Sequence, residues 1–339
     1  MARARQALDR TSLYDIMYAL VARGGREAEL FGTCAPAARE AFSRSLVGEA
    51  FPELWFELPL AGEPWLDLHV LVSYADVAGT RASFSRRGGV YADALSWFSS
   101  QPPHVVRQLA LSYDTSAGDV ERPAVQLLVN GSDVKVPLGF LEAVGRSDAM
   151  DSYRTFVRGM PGEWYACYVG AFSRRDAAAS SWVRVECIVG DVSQRAYADD
   201  VELLRGHLSR VGMAGIGDGA IEGIRTLARS PFPLELQFNV GPDGMALPVV
   251  SASVRFQPSD WIDAARRDEI CRLAVWAQGL GLADGRWRQL APTVFAKRAT
   301  RAGSSATLSC FPAFVKLRWR EGMAPDAKAY LLGQVEKRA

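Results

Sequence analysis

The sequence predicts an α+β fold in which ten antiparallel strands close into a barrel, with helices outside and a ligand lumen inside. Three observations lead there. Five stretches read as β-hairpins whose alternate residues differ in character, near 54–73, 105–130, 164–189, 233–256 and 308–333; residues two apart in a strand share a face. Mostly helical connections separate the hairpins, at spacings of about 50 to 75 residues. No Pro-rich or low-complexity linker divides the 339 residues, so the repeats belong to one domain spanning 1–339. Closing the barrel removes exposed sheet edges. An open ten-stranded sheet with helices on one face is the alternative arrangement.

The elements follow in order. Thr11 or Ser12 caps a helix to about Arg23, ended by Gly24 and Gly25. A second helix runs from about Pro36 to Glu49, then strands Leu54–Leu60 and Leu66–Ser73 flank a Gly-Glu-Pro turn. Residues 75 to 90 form a loop, and a short helix covers about Val90–Ser99. Strands at Val105–Tyr113 and Ala124–Asn130 make the second hairpin, followed by helical material from Leu138 to about Gly159. The third hairpin pairs Trp164–Phe172 with Trp182–Val189, and two helices follow, about Val192–Val211 and Gly219–Arg229. The fourth turns at Gly-Pro-Asp-Gly. A helix at about Asp260–Gly279 and a helical or irregular segment through Ala296 lead to the last hairpin, FVKLRWREGMAPDAKAYL.

Composition bounds the function. Hydrophobic content of 49% with 23% charged residues is that of an ordinary globular chain. A formal net charge of +1 supplies no global field toward nucleic acid or an anionic membrane. The five cysteines are odd in number and include no C-x-x-C pair, which fits reduced thiols in a cytoplasm. The N-terminus lacks the apolar core of a signal peptide. No apolar run approaches the roughly 20 residues that span a bilayer. Neither a dinucleotide fingerprint, G-x-S-x-G nor H-E-x-x-H occurs; the GIGDG at Gly215–Gly219 lacks a preceding strand.

Parity sorts the strand residues. Phe56, Leu58 and Leu60 lie opposite Trp55, Glu57 and Pro59; Leu68 and Val70 lie opposite Asp67 and His69. Val183, Val185 and Cys187 oppose Trp182, Arg184 and Glu186, with Trp164 and Tyr168 assigned to the second side. Leu234, Leu236 and Phe238 oppose Glu235, Gln237 and Asn239, while Val250, Ala252 and Val254 oppose Ser251, Ser253 and Arg255. In the last hairpin Val315, Leu317 and Trp319 oppose Lys316, Arg318 and Arg320, and Lys328 and Tyr330 share a face. A merely solvated sheet face would alternate in the same way. It would seldom display so many Trp and Tyr among its charges.

Five helix-flanked hairpins in one chain resemble the αββα-barrel (ABBA) aromatic prenyltransferases, over about residues 10 to 335 by architecture. The wording that matches is short: FEL with Glu57, WVRVE with Arg184, FVKLRW with Lys316 and Arg318, and KAY with Lys328 and Tyr330. The resemblance implies a barrel of five αββα-like repeats that transfers a prenyl group from an allylic diphosphate, dimethylallyl or longer, to an aromatic small molecule or peptide. It implies Glu57 as the catalytic carboxylate. Arg184, Arg255, Lys316, Arg318, Lys328 and Tyr330 are implied for the diphosphate. Trp55, His69, Trp164, Tyr168, Trp182, Gln237 and Phe314 are implied around the acceptor and the carbocation. No cofactor is required by it, magnesium entering with the diphosphate; no D-D-x-x-D motif is present. The expected partners are these substrates, with no nucleic acid or membrane, for a cytoplasmic monomer. The chain departs from fungal members in its first two hairpins: LDLHVLV and AVQLLVN place His69 and Gln126 where those carry an Arg and a Lys-x-Tyr.

Overall fold

A computed structural model describes residues 26–32, 53–73, 90–113, 124–129, 133–171, 182–301 and 304–338. The helices expected at 11–23 and 36–49, the 75–89 loop and Cys34 lie outside these residues. The strands are β1 (Glu53–Pro59), β2 (Asp67–Val72), β3 (Val106–Tyr113), β4 (Ala124–Val129), β5 (Trp164–Ala171), β6 (Val183–Val189), β7 (Leu234–Val240), β8 (Ala246–Arg255), β9 (Phe295–Arg301), β10 (Ser304–Arg320) and β11 (Asp326–Arg338). They are antiparallel in the order β11-β1-β2-β3-β4-β5-β6-β7-β8-β10, and β10 pairs back onto β11. Ten strands thus close the expected barrel, and the open-sheet alternative falls.

The helices are α1 (Arg26–Phe31), α2 (Val90–Ser100), α3 (Lys135–Ala143), α4 (Met150–Gly159), α5 (Asp191–Asp199), α6 (Val201–Arg210), α7 (Asp218–Ala228) and α8 (Ala264–Gly279). The apolar strand faces turn toward this layer, as parity predicts. Phe56, Val70, Leu109, Leu127, Val185, Leu236, Val254 and Leu317 are buried in one core with Phe98, Phe140, Phe156, Tyr197, Leu204 and Ile224 from the helices. With the greasy faces spent on the helices, the polar faces converge inside.

Three expectations need correction. The single helix expected at 192–211 is two, because Asp200 leaves the helical region (φ −100°, ψ 96°) and its carboxylate caps α6 by accepting from Leu203 N at 2.9 Å. The helix expected from Asp260 starts at Ala264, where Asp263 accepts from Arg266 N at 2.8 Å; Pro258–Trp261 is only a 3₁₀ turn. β9 is a strand that alternation did not mark. It pairs with Ser304–Cys310 of β10, beyond the Phe314–Arg320 stretch that pairs with β8, so it extends the sheet without entering the barrel wall. The short α1 was likewise unannounced. The turn between β7 and β8 is the expected one: Gly244 has φ +79°, and a Cβ there would meet Thr155 Cβ at 2.5 Å.

Candidate active site

Every one of the ten barrel strands contributes side chains to a central cavity of about 690 Å³. Small-molecule sites commonly occupy this size range. Its wall is the polar side of each strand: Glu57 and Trp55 from β1, His69 from β2, Ser112 from β3, Gln126 from β4, Tyr168 from β5, Arg184 and Glu186 from β6, Glu235 and Gln237 from β7, Arg255 from β8, Phe314, Lys316 and Arg318 from β10, Lys328 and Tyr330 from β11.

Glu57 sits where register brings four strands together. Trp55 pairs with His69, His69 with Ser112, and Glu57 with Tyr330, next to the Pro59–Lys328 pair. The Glu57 carboxylate accepts from His69 Nε2 at 2.8 Å on one oxygen and from Lys328 Nζ on the other. The far nitrogen of the same imidazole, Nδ1, lies 2.6 Å from Ser112 Oγ. Burial pushes the Glu57 carboxyl up, but the Lys328 charge and the His69 hydrogen bond outweigh it and hold the group well below its ordinary range. Glu57 is therefore a fixed carboxylate. Lys328 also lies over the Trp65 ring, 4.5 Å from its centroid.

A second carboxylate cluster occupies β6 to β10. Lys316 Nζ is 3.0 Å from Glu186 Oε1, and Gln237 Nε2 donates to the other oxygen at 3.2 Å. Arg255 Nη2 approaches Glu235 Oε1 to 2.5 Å. Glu235 behaves opposite to Glu57. Burial pushes it up to about 7, Arg255 pulling down and Glu186 adding repulsion. Nearby, Arg318 and Arg320 both donate to Asp326 Oδ2 at 2.8 Å, and Arg184 Nε donates to Asn239 Oδ1 at 3.1 Å with its guanidinium 5.4 Å from the Trp182 ring.

An aromatic wall connects the two clusters. Trp55 and Phe314 have centroids 5.0 Å apart, Phe314 and Tyr330 6.3 Å, and Tyr330 and His69 5.9 Å. Two cations lie over these rings, Arg255 at 4.9 Å from Phe314 and Lys316 at 5.2 Å from Tyr330. Burial, Glu57 and Glu186 keep the Tyr330 hydroxyl protonated, its value raised well above the ordinary one.

Of the residues singled out in the sequence, Glu57, Arg184, Arg255, Lys316, Arg318, Lys328, Tyr330, Trp55, His69, Tyr168, Gln237 and Phe314 line this one cavity. Trp164 and Trp182 do not. Trp164 is 4% exposed on the helix side, where its indole donates to Tyr197 OH at 2.8 Å and stacks on Phe238 at 5.9 Å. The cause is a bulge between Ala166 and Tyr168, which reverses parity within β5. It places Tyr165, Cys167 and Tyr168 on the lumen and Trp164 outside. Trp182 precedes β6 and backs Arg184. Sequence parity missed Ser112, Gln108 and Glu53. Gln108 and Gln334 both hydrogen-bond the Glu53 carboxylate, at 2.8 and 2.9 Å. Parity also did not show that the lining cations meet carboxylates: Lys328 with Glu57, Lys316 with Glu186, Arg255 with Glu235 and Arg318 with Asp326. Among the described residues no group of three His, Cys, Asp or Glu is placed to hold a metal ion, and no helix is long and apolar enough to cross a membrane.

No protein-family model and no curated protein matches the chain by sequence. By structure it is similar to 6-dimethylallyltryptophan synthase from Micromonospora olivasterospora in complex with DMASPP and Trp, at TM-score 0.58 and 16% identity over 95% of this chain and 97% of that one. It is similar also to 5-dimethylallyltryptophan synthase from Streptomyces coelicolor, at TM-score 0.59 and 16% identity over 95% and 98%. The prenyltransferase PriB in its binary complex with product diphosphate superposes at TM-score 0.55 and 17% identity over 95% and 96%. At such identities the likeness is one of fold, and it extends over nearly the whole of each chain.

Proposed function

We propose that this protein transfers a prenyl group from an allylic diphosphate to an aromatic acceptor held in the barrel lumen. The observation that carries the reading is the convergence of Glu57, Arg184, Lys316 and Lys328, from β1, β6, β10 and β11, on one cavity walled by Trp55, Phe314 and Tyr330. Similar folds solved with DMASPP, Trp or product diphosphate support it. In this reading Arg184, Arg255, Lys316, Arg318 and Lys328 neutralise charge that develops on the departing diphosphate, and Tyr330 donates a hydrogen bond to it. The rings of Trp55, Tyr168 and Phe314, with His69 and Gln237 beside them, flank the acceptor and keep water from the allylic cation. Glu57 supplies the negative charge at the acceptor's end. Magnesium enters only as the counter-ion of the diphosphate. The cavity volume favours a small arene over a peptide.

The pairing of lumen cations with carboxylates favours a second reading, a barrel that binds a hydrophobic anion without turnover. Incubation of the purified protein with labelled dimethylallyl diphosphate and tryptophan separates the two. Prenylated product and released diphosphate are expected. Saturable binding of the diphosphate without product selects the second reading, and absence of both binding and product removes the first.

A further inference from the structure

The hydrogen bonds around Glu57 form one line across four strands: Lys328 Nζ to Glu57 Oε1, Glu57 Oε2 to His69 Nε2, and His69 Nδ1 to Ser112 Oγ. Each link is fixed by register, since His69 of β2 lies beside both Trp55 of β1 and Ser112 of β3. The line assigns the protons. A carboxylate between Lys328 and an imidazole accepts from both, so His69 carries its proton on Nε2. In the neutral imidazole Nδ1 is then a bare acceptor, and Ser112 donates its hydroxyl proton there. Ser112 is 4% exposed and lines the lumen, and a hydroxyl that donates to His69 keeps its oxygen lone pairs for another partner.

We infer that Ser112 and His69 form the proton exit of the lumen, with Glu57 as the anion that stabilises the imidazolium rather than as the base itself. The inference rests on the prenyl-transfer reading above. Attack on an allylic carbon leaves the acceptor with one surplus proton and a positive charge. That proton passes to Ser112 Oγ as the bond from acceptor to hydrogen breaks. The serine's own proton moves to His69 Nδ1 as its O–H bond breaks. The acceptor becomes neutral, Ser112 is regenerated, and the positive charge rests on His69 beside the Glu57 carboxylate. Water takes the proton from His69 through Ser112 after the product leaves. The separation of roles follows from the geometry. Both Glu57 oxygens already hold donors, one of them a lysine, and both imidazole nitrogens are engaged, so Ser112 is the member with lone pairs left for substrate. The groups around the imidazole are Glu57 and Trp55 on β1, Ser112 on β3, and Lys328 and Tyr330 on β11.

The test uses dimethylallyl diphosphate and tryptophan with the full chain. Ser112→Ala is expected to lower kcat by roughly 10²-fold, the low end for loss of general-base catalysis, with KM for both substrates unchanged. Ser112→Thr, which keeps a hydroxyl, restores most of the rate. His69→Gln, which leaves the serine proton without its imidazole acceptor, is expected to lower kcat by a similar factor with KM unchanged. Unchanged kcat in Ser112→Ala, or in His69→Gln, overturns the inference. Should the unaltered protein make no product, the prenyl-transfer reading fails by itself, and nitrogen-15 NMR of the imidazole still reads the relay. A neutral Nε2–H tautomer whose Nδ1 signal shifts in Ser112→Ala is expected. A proton on Nδ1 at neutral pH overturns the assignment whatever the activity.

Discussion

Two buried carboxylates of this lumen show how neighbours decide the sign of a pH effect. Glu57 has two donors, Lys328 and His69, and stays ionised; Glu235 has Arg255 but also faces Glu186, and burial wins. A carboxyl held below its ordinary value contributes stability above that value and loses it as pH falls through the folded one. Glu57→Gln should therefore cost roughly 1.5–3 kcal/mol at pH 7, the worth of a hydrogen bond to a charged group, since it takes the anion from the half-buried Lys328, and the difference should shrink in acid. Glu235 runs the other way. The fold retains its proton up to about 7 while the unfolded chain releases it near 4.5, so stability falls as pH rises between those values, by roughly 3 kcal/mol at about 1.4 per pH unit. Thermal unfolding of Glu235→Gln across pH 4.5 to 8 should show a flatter profile in that window. An identical slope in mutant and parent would show that Glu235 titrates normally.

At the scale of elements, what the sequence announced and what it concealed follow one physical line. Alternation reports a face only while the strand is regular, so Phe56/Glu57, Leu236/Glu235 and Leu317/Lys316 were legible to the residue. A bulge has no hydrophobic signature, so the one at Ala166–Tyr168 turned Trp164 outward unseen. The break at Asp200 was hidden because the surrounding residues suit a helix and only a side-chain hydrogen bond divides α5 from α6. Ion pairing was illegible for a different reason: the partners meet across strands far apart in the chain, as Lys316 and Glu186 do. Close packing between layers is equally silent, and it makes one substitution take opposite signs in two helices. In α6, Gly206 has nothing within 4 Å of an added Cβ, so Gly206→Ala should stabilise by up to about 1 kcal/mol through helix propensity. In α7, a Cβ on Gly223 would overlap the Trp319 ring of β10. Overpacking costs roughly 1–3 kcal/mol, so Gly223→Ala should destabilise despite the same propensity gain. Denaturant midpoints of the two variants give the comparison; a stabilised Gly223→Ala would mean that the indole moves aside freely.

For the whole molecule, closure is what makes a site. Glu57 and Lys328 are 271 residues apart in sequence, yet they meet because β1 pairs with β11 from Glu53–Gln334 to Pro59–Lys328. The strand that would be an edge of an open sheet is instead a wall of the lumen, and the carboxylate there acquires its lysine only when the last hairpin is in place. β11 is in turn held by β10 over thirteen residue pairs, from Ser305–Arg338 to Arg318–Asp326. A seam with ladder hydrogen bonds on both sides has no cheap local opening, because releasing β1 or β11 exposes two strand edges and the buried faces of Phe56, Leu58, Ala329 and Leu331 at once. Native-state hydrogen exchange should therefore find the amides of β1 and β11 as strongly protected as those of β6 in the middle of the sheet order, all exchanging through the same global event. The portion of β10 that reaches beyond the barrel to pair with β9 should exchange at lower free energy, since β9 pairs with no second strand. A seam that opened independently, with β1 amides exchanging well before those of β6, would mean that the Glu57–Lys328 pair is made and broken within the native state. The lumen would then have a door at its candidate catalytic carboxylate.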